Sequence, residues 1–282
     1  MRTKMKLLNG KEVSARVKEE LKKEVSTLKA KGIFPGLAVI IVGDNPASRI
    51  YVNAKKKACE EIGIYSEEHA LPADITEEAL IKLIAELNKR ANISGILVQL
   101  PLPKHIAEER ILLSIDPKKD VDAFHPVNVG KIMIGDFDFL PCTPAGVMEL
   151  IRESGVDPAG KDCVVVGRSN IVGKPQAMLL LHANGTVTIC HSRTKELAEK
   201  TRKADILVAA VGIANFITAD MVKEGAVVID VGMNRDENGK LCGDVDFEAV
   251  KEKAAAITPV PGGVGPMTIA MLMKNAVKAA QL

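Results

Sequence analysis

The stretch from Cys163 to Pro175, CVVVGRSNIVGKP, constrains the fold of this chain more than any other part of it. Its apolar, β-branched start is typical of a strand buried on both faces of a parallel sheet. Gly167 then permits a tight turn, and Gly173 permits a helix to approach the strand or a phosphate closely. The amides of that helix's first turn have no partners inside the helix, so together with the helix dipole they would attract a pyrophosphate. The stretch therefore predicts a nucleotide-binding turn.

The spacing differs from the dinucleotide fingerprint G-x-G-x-x-G, because Ser169 stands where the second glycine would be. An ordinary strand-to-helix turn is therefore an alternative at this point. The next predicted strand, Thr186 to Cys190, runs into the sequence HSRT. An NAD site usually has a carboxylate there for the ribose 2′-hydroxyl, whereas a 2′-phosphate is bound by arginine and hydroxyl groups. We therefore expect NADP, with contacts from Arg168, Ser192 and Arg193.

Composition narrows the class of protein. The 282 residues are enough for two domains, and 47% hydrophobic with 26% charged content is typical of a soluble globular chain. A net charge of +2 gives no general attraction for nucleic acid or for a membrane surface. We find neither a membrane-spanning apolar run nor a signal-peptide segment, and so expect a cytoplasmic protein. The 5 cysteines, without a C-x-x-C pair, predict reduced core thiols and not a disulfide framework or zinc site.

Alternating apolar runs and amphipathic segments predict an α/β fold with two doubly wound domains and a cleft between them. The predicted strands of the first domain are 37–42, an edge strand at 64–71, and 96–100. Those of the second, Rossmann-like domain are 163–166, 186–190, 206–211, 227–231 and 255–258. Residues 116–142 read as an irregular connection, and the last helix, 267–280, is expected to return to the first domain. We therefore predict a first domain of 1–142 plus 262–282 and a cofactor domain of 143–261.

Tyr51 and Lys55 are four residues apart on a predicted helix, so both side chains lie on one face. Burial or a neutral hydrogen-bond partner would lower the pKa of such a lysine toward the range of a general base. Gln99, at the carboxyl end of a predicted strand, is placed to be that partner. The alternative is a solvated lysine run, Lys55 to Lys57. The short-chain dehydrogenases share Tyr-x-x-x-Lys, but there it follows the cofactor glycines, so that family is not favoured.

Several sequence blocks together resemble the bifunctional methylenetetrahydrofolate dehydrogenase/methenyltetrahydrofolate cyclohydrolase family over nearly the whole chain. They are VGDNPASRIYVNAKKKACEEIGI, GILVQLPLP, KDVDAFHPVNVG, PCTPAGV, VVVGRSNIVGKP, HSRT, DVGMNR and TPVPGGVGPMT. The resemblance implies NADP-linked oxidation of 5,10-methylenetetrahydrofolate to the methenyl cation, then hydrolysis to 10-formyltetrahydrofolate in the same site. It also implies one-carbon metabolism as the setting and a homodimer.

The resemblance also implies roles for individual residues. Lys55 is similar to the catalytic lysine, Gln99 to its pKa-lowering partner, Tyr51 to a residue that lines the folate, and Asp122 to the carboxylate that holds the pterin. The remaining substrate-binding positions implied are Ser48, Pro261, Gly262 and Gly263. The cofactor-binding positions implied are Gly167, Arg168, Ser169, Gly173, Ser192, Arg193 and Met233.

One position departs from the family pattern, because Ala123 stands where members usually have glycine after the pterin-binding aspartate. His125 and His191 have no partner at metal-ligand spacing, so loop or cofactor roles are preferred and no metal is expected. Two rivals remain: a dehydrogenase that lacks the hydrolytic step or prefers NAD, and a nucleotide-sensing binding protein without turnover. A polarised lysine with Gln99 and Asp122 argues against the sensor.

Overall fold

The computed structural model describes residues 5–282, apart from the side chain of Ala47. The chain forms two compact units. Unit 1 consists of residues 5–14 and Thr143–Thr268, and unit 2 consists of Ala15–Cys142 and Ile269–Leu282. In chain order the strands and helices are β1 (Lys6–Leu7), α1 (Gly10–Ala30), β2 (Gly36–Val42), α2 (Pro46–Ile62), β3 (Tyr65–Leu71), α3 (Glu77–Lys89), β4 (Gly95–Val98), α4 (Glu108–Ser114), α5 (Pro126–Ile134), α6 (Cys142–Ser154), β5 (Asp162–Val166), α7 (Gly173–His182), β6 (Thr186–Cys190), α8 (Leu197–Thr201), β7 (Ile206–Ala209), β8 (Val227–Asp230), β9 (Asn234–Arg235), β10 (Leu241–Cys242), α9 (Phe247–Val250), β11 (Ala256–Ile257) and α10 (Val264–Ala279).

Unit 2 contains a three-stranded parallel sheet in the order β3, β2, β4. Every residue of β2, GLAVIIV, is buried, which explains its continuous apolar sequence. One face of this strand, including Ile40, packs against Ile84 of α3 and Ile111 of α4. Thr76 caps α3 by accepting a hydrogen bond from the Ala79 amide. The predicted edge strand is confirmed as β3, the outer strand of the sheet, in which partly buried and exposed residues alternate from Glu67 to Leu71.

Unit 1 contains a six-stranded parallel sheet in the order β1, β11, β8, β7, β5, β6. Residues on one face of this sheet, such as Val164, Leu207 and Val228, belong to one apolar core cluster. In this order β6 lies beside β5 at the edge of the sheet, and the next strand in the chain, β7, lies on the opposite side of β5. The strand order therefore reverses at β5. Ligands of doubly wound sheets bind outside the carboxyl ends of the strands at such a reversal. The predicted two-domain α/β architecture with a Rossmann-like second domain is confirmed.

The two compact units differ from the predicted domain boundaries in two places. The amino-terminal segment belongs to unit 1, because β1 pairs in parallel with β11, with Lys6 opposite Ala256 and Leu7 opposite Ile257. The glycine-rich loop before α10 also stays in unit 1, where its Gly262 carbonyl accepts a hydrogen bond from the Lys11 amide. Only the part of the last helix from Ile269 onward joins unit 2.

The connection 116–142 is not wholly irregular, because it contains α5. His125 caps this helix through its Nδ1 atom, which accepts a hydrogen bond from the Val127 amide at 3.1 Å. Pro126 occupies the first turn, and Gly135 ends the helix in the left-handed conformation. These cap residues are a sequence signal for a helix, but the nine apolar-rich residues between them show no helical period, so the helix was not predicted.

Among the helices of residues 5–282, none is long and apolar enough to span a membrane.

Candidate active site

The helix α2 presents three of the predicted site residues. Its start is fixed by Asn45, whose Oδ1 atom accepts a hydrogen bond from the Ser48 amide at 3.1 Å. Ser48, Tyr51 and Lys55 then follow at spacings of three and four, so they lie on one face of the helix. Ser48 is buried and Tyr51 is 36% exposed, so this face borders solvent at one end. Burial raises the pKa of the Tyr51 phenol.

The strand end after β4 supplies the partner of the lysine. The Lys55 ammonium donates a hydrogen bond to Gln99 Oε1 at 2.9 Å. The Gln99 amide nitrogen donates to the Leu100 carbonyl at 2.8 Å, and the Gln99 backbone amide donates to Ile40 of the central strand. Because its nitrogen is already bonded, Gln99 turns its carbonyl oxygen toward Lys55. The structure thus brings together the two residues that the sequence had paired.

The cause of the lysine's altered basicity differs from the prediction. Burial lowers the pKa of Lys55, and the negative charge of Asp122 opposes that effect. A carbonyl acceptor such as Gln99 Oε1 stabilises the protonated amine, so Gln99 does not account for the lowered pKa. The assignment of Gln99 as the pKa-lowering partner is therefore corrected: burial changes the basicity, and Gln99 orients the amine.

Asp122 lies in the same cluster, on the segment after the bridge between Ile96 and Asp120. Burial raises the pKa of Asp122 to about 6, against the opposing effect of the nearby Lys55 charge. Cys142 approaches the carboxylate, with 3.6 Å between its Sγ atom and Asp122 Oδ1. Burial raises the pKa of this thiol well above its ordinary value, so it is a neutral neighbour. Cys142 was read only as a core thiol, and nothing in its sequence spacing indicated a place beside Asp122.

The residue after Asp122 explains the departure from the family pattern. Ala123 has a φ of +58°, in the left-handed region that favours glycine, and is 1% exposed. The turn is held by Asp120, whose Oδ2 atom accepts hydrogen bonds from the His125 amide at 2.8 Å and Asn128 Nδ2 at 2.9 Å. Ala123 therefore occupies the conformation that a glycine would adopt.

The predicted substrate loop, Pro261 to Gly263, lies in unit 1 and not with the Lys55 cluster in unit 2. A Cβ atom on Gly263 would stand 2.5 Å from the Pro259 carbonyl oxygen. A Cβ atom on Gly10 would stand 1.7 Å from the Gly263 carbonyl oxygen. The start of α1 therefore packs directly on the backbone of this loop, which only glycines at these positions permit.

The predicted cofactor turn has the close contacts that its glycines imply. Gly167 has a φ of +134°, and a Cβ atom there would stand 2.2 Å from the Ala210 carbonyl oxygen. A Cβ atom on Gly173 would stand 2.3 Å from the Gly167 carbonyl oxygen. Gly173 therefore serves the approach of α7 to the turn itself. The turn lies at the carboxyl end of β5, where the sheet reverses its order.

The amides at the start of α7 bond to a residue just before the helix. Ser169 Oγ accepts hydrogen bonds from the amides of Val172 at 3.1 Å and Gly173 at 3.2 Å. The Lys174 amide donates to the Ser169 carbonyl oxygen at 3.0 Å. Ser169 therefore caps the helix through its side chain. The exposed part of the turn is Arg168 and the residues directly after it.

The second cofactor loop leaves its polar side chains exposed. His191 Nδ1 accepts a hydrogen bond from the Arg193 amide at 3.2 Å, and Thr194 Oγ1 accepts one from the His191 amide at 2.8 Å. Ser192 and Arg193 stand on this short turn with exposed side chains. Their position after β6, next to the turn after β5, suits a phosphate on the ribose.

A buried carboxylate that the sequence did not single out shapes the third loop at this sheet edge. Asp244 accepts four hydrogen bonds, from the amides of three consecutive residues after β7 and from Asn234 Nδ2. The amide donors are Val211, Gly212 and Ile213. Met233, a predicted cofactor residue, is 48% exposed beside this network. Within residues 5–282, no group of three or more histidines, cysteines or carboxylates is placed to hold a metal ion.

Comparison with known proteins identifies the family. Residues 8–122 match the catalytic domain of the tetrahydrofolate dehydrogenase/cyclohydrolase family, and residues 141–282 match its NAD(P)-binding domain. The bifunctional protein FolD of Acetivibrio thermocellus is 70% identical over 277 residues, which are 98% of this chain and 97% of that protein.

Solved structures agree with these matches. The bifunctional enzyme FolD of Campylobacter jejuni is 56% identical with a TM-score of 0.96, covering 98% of this chain and 99% of that chain. The enzyme of Trypanosoma brucei, solved with an NADP cofactor and an inhibitor, is 42% identical with a TM-score of 0.94, covering 98% and 97%. The resemblance read from the sequence is confirmed, and the chain belongs to the tetrahydrofolate dehydrogenase/cyclohydrolase family.

Proposed function

We propose that this protein oxidises 5,10-methylenetetrahydrofolate with NADP and hydrolyses the resulting methenyl cation to 10-formyltetrahydrofolate. The observation that carries the proposal is the buried Lys55 amine, bonded to Gln99 Oε1 at 2.9 Å and facing the charge of Asp122. In a solvated lysine run, water and not protein groups would surround the amine. The matching family domains and the bifunctional relatives support both activities.

Hydrolysis is the step that needs Lys55. Water adds to the methenyl carbon, and the neutral amine of Lys55 takes one of its protons. The carbon–nitrogen bond to the ring then breaks, and Lys55 returns that proton to the departing nitrogen. The second proton of the water leaves to solvent as the formyl group forms. A lowered pKa keeps part of the lysine neutral, so that it acts first as a base and then as an acid.

Asp122 binds the pterin in this proposal. A carboxylate offers acceptors to the donors of an amino-pyrimidine edge, and such charge-assisted hydrogen bonds are strong. With a pKa of about 6, Asp122 is mostly ionised at neutral pH and still sensitive to its surroundings. Ser48 and Tyr51, on the same helix face as Lys55, line the folate. Pro261, Gly262 and Gly263, which belong to unit 1, remain predicted substrate-binding residues.

The residues at the carboxyl edge of the unit 1 sheet fit NADP. The observation that supports this fit is the glycine turn, where Gly167 and Gly173 let α7 pack closely on the end of β5 and Arg168 is left exposed. When bound, NADP supplies the hydride acceptor for the oxidation. Ser192 and Arg193 bind the 2′-phosphate, and Met233 and Ser169 border the cofactor. Folate is assigned to unit 2 and NADP to unit 1.

Cofactor choice is tested with Arg193→Ala. Loss of one charge-assisted hydrogen bond corresponds to about a tenfold or greater rise in the KM for NADP, while the KM for NAD stays unchanged. Lys195→Ala, an exposed charge two residues along the same turn, is the matched control. A variant that keeps the full preference for NADP would remove Arg193 from the phosphate site.

The setting of the enzyme is proposed as cytoplasmic one-carbon metabolism, without a nucleic acid partner, as a homodimer. The outer edge of β6 supports the dimer, because Thr186, Thr188 and Ile189 are exposed on an unpaired edge strand. Light scattering after gel filtration tests it: the dimer mass is expected, and a monomer at micromolar concentration would contradict it.

The central experiment replaces Lys55 with methionine. The variant is expected to bind NADP normally and to lose hydrolysis by about 100-fold or more, so that methenyltetrahydrofolate accumulates in the ultraviolet spectrum. Lys56→Met, an exposed neighbour on the same helix, should hydrolyse normally. Normal hydrolysis by the Lys55 variant would show that Lys55 has no catalytic role and would favour the alternative of a solvated lysine run. Absence of hydrolysis in the unaltered protein would favour a dehydrogenase that lacks the second step.

A further inference from the structure

The backbone around Asp122 is held by a side chain from the last helix. Asn275 of α10 is 8% exposed, and its Nδ2 atom donates to the carbonyl oxygens of Val121 and Leu140, both at 2.8 Å. Asn275 and both acceptors belong to unit 2. An amide nitrogen carries two N–H groups, and each is used here. One side chain therefore joins the segment before Asp122 to the segment before Cys142.

The two joined segments carry the groups that surround Lys55. Val121 directly precedes Asp122, and Leu140 lies two residues before Cys142. The Cys142 Sγ atom lies 3.5 Å from the Val121 carbonyl oxygen, 3.6 Å from Asp122 Oδ1 and 3.7 Å from Asn275 Nδ2. A shift of either segment would change how the Asp122 carboxylate faces the amine.

Other contacts of this loop do not replace the amide. The Ile96 amide bonds to the Lys119 carbonyl, and Asp120 is held by the His125 amide and Asn128, so these bonds fix the residues on either side. The Val121 carbonyl lies beyond the last bridge of β4, and a buried carbonyl needs a partner. The Cys142 thiol, 3.5 Å away, is only a weak donor to this carbonyl, and Asn275 provides the stronger N–H donor at 2.8 Å.

We propose that Asn275 is a positioning residue, which orients Asp122 toward the pterin and toward Lys55 by fixing the Val121 and Leu140 carbonyls. This inference rests on the proposed function. The charged and titratable groups facing Lys55 are Asp122 and Cys142, with Asp120 acting on Asp122 from the same loop. Because the Asp122 anion raises the pKa of Lys55, a displaced carboxylate leaves the amine easier to deprotonate.

The test compares Asn275→Leu with Asn88→Leu. Asn88 makes the same kind of tie in the same unit, from its Nδ2 atom to the Ser114 carbonyl at 2.8 Å. Its Oδ1 atom accepts from the Asp116 amide at 3.0 Å, six residues before Asp122, so Asn88 makes no bond to Val121 or Leu140. For Asn275→Leu we expect about a tenfold rise in the folate KM and a pH midpoint of hydrolysis moved to lower pH. The NADP KM should not change. Asn275→Gln, which keeps the two donors, should restore part of both values.

A second measurement does not depend on turnover. Acetic anhydride labelling of Lys55 across a pH series, read by mass spectrometry, reports its protonation directly, and Asn275→Leu should move that midpoint to lower pH while Asn88→Leu should not. An unaltered midpoint in folded Asn275→Leu, or an equal shift in Asn88→Leu, would overturn the inference. Failure of the unaltered protein to convert methylenetetrahydrofolate would instead refute the proposed function, and the labelling would still decide the role of Asn275.

Discussion

Two aspartates of this protein share a raised pKa but differ in the groups around them. Burial raises the pKa of Asp122 in unit 2 and of Asp230 in unit 1, each to about 6. Asp230 accepts hydrogen bonds from the amides of Gly232, Asp244 and Val245, all at 2.9 Å. Asp122 instead has a thiol at 3.6 Å and the charge of a nearby lysine.

The difference separates a structural carboxylate, Asp230, from Asp122, the carboxylate that we propose binds the substrate. Backbone amides cannot move away, so Asp230 and the neighbouring Asp244 are fixed by the loops that they in turn hold together. Asp122 keeps acceptor capacity for a ligand, and its charge acts on Lys55. A raised pKa alone therefore does not identify a functional carboxylate in this fold, whereas the nature of its partners does.

The largest expected effect falls on the structural side of the comparison. Asp244→Ala leaves four donors without their acceptor in a site that is 0% exposed. We expect the free energy of unfolding to fall by about 4 kcal/mol, measured by urea denaturation followed by circular dichroism. Asp220→Ala, an exposed aspartate of the same unit, should change it by less than about 1 kcal/mol. A loss as small as that control in Asp244→Ala would contradict the structural role.

The next effect is the pH dependence of stability through Asp230. Its folded pKa of about 6 lies above the ordinary 3.8, so between these values the folded state binds more protons than the unfolded state. The contribution of Asp230 to stability is therefore fully present below about pH 4 and is lost as pH rises through 6. Asp230→Asn lacks this dependence.

Unfolding of the unaltered protein and Asp230→Asn is measured at pH 4.5 to 8 to test it. The free energy of the variant relative to the unaltered protein should improve with rising pH, by at most about 3 kcal/mol. A difference that stays constant across this range would show that Asp230 titrates normally.

The smallest effect concerns the backbone at the two sites. Ala123→Gly relieves a left-handed alanine, worth about 1 kcal/mol, but also removes a buried methyl group of similar value. We expect stability within about 1 kcal/mol of the unaltered protein and a folate KM within about twofold. Gly243→Ala is the opposite case, because its Cβ atom would stand 1.8 Å from Asp230 Oδ2. Equal changes in the free energy of unfolding for Ala123→Gly and Gly243→Ala would contradict this difference between the two sites.

Much of the fold was predictable from local pattern. The strands β2 and β5 could be predicted from their apolar runs, and the start of α3 could be predicted from its Thr76 cap. The domain boundaries were not, because the pairing of β1 with β11 joins two residues to a strand far along the chain. A two-residue strand carries no period from which it could be recognised.

The site was predictable where chemistry follows a strand end or a helical spacing, as for Lys55 and Gln99. Cys142 and Asn275 were not, because they reach Asp122 through tertiary contacts between distant segments. Asp244 was not predicted for the same reason, since three of its donors come from the loop after β7 and the fourth from Asn234. The cause of the lowered Lys55 pKa was also missed, because burial of a lysine in a lysine run is not visible in sequence.

The measurement that tests the account most directly is the pH dependence of methenyltetrahydrofolate hydrolysis by the unaltered protein and by Asp122→Asn. The substitution keeps the shape of the side chain and removes its negative charge. Because that charge raises the pKa of Lys55, its removal lowers the pKa. After correction for uncatalysed hydrolysis, the midpoint should move to lower pH. The folate KM should rise about tenfold or more while the NADP KM is unchanged. An unchanged midpoint together with an unchanged folate KM would contradict the role assigned to Asp122.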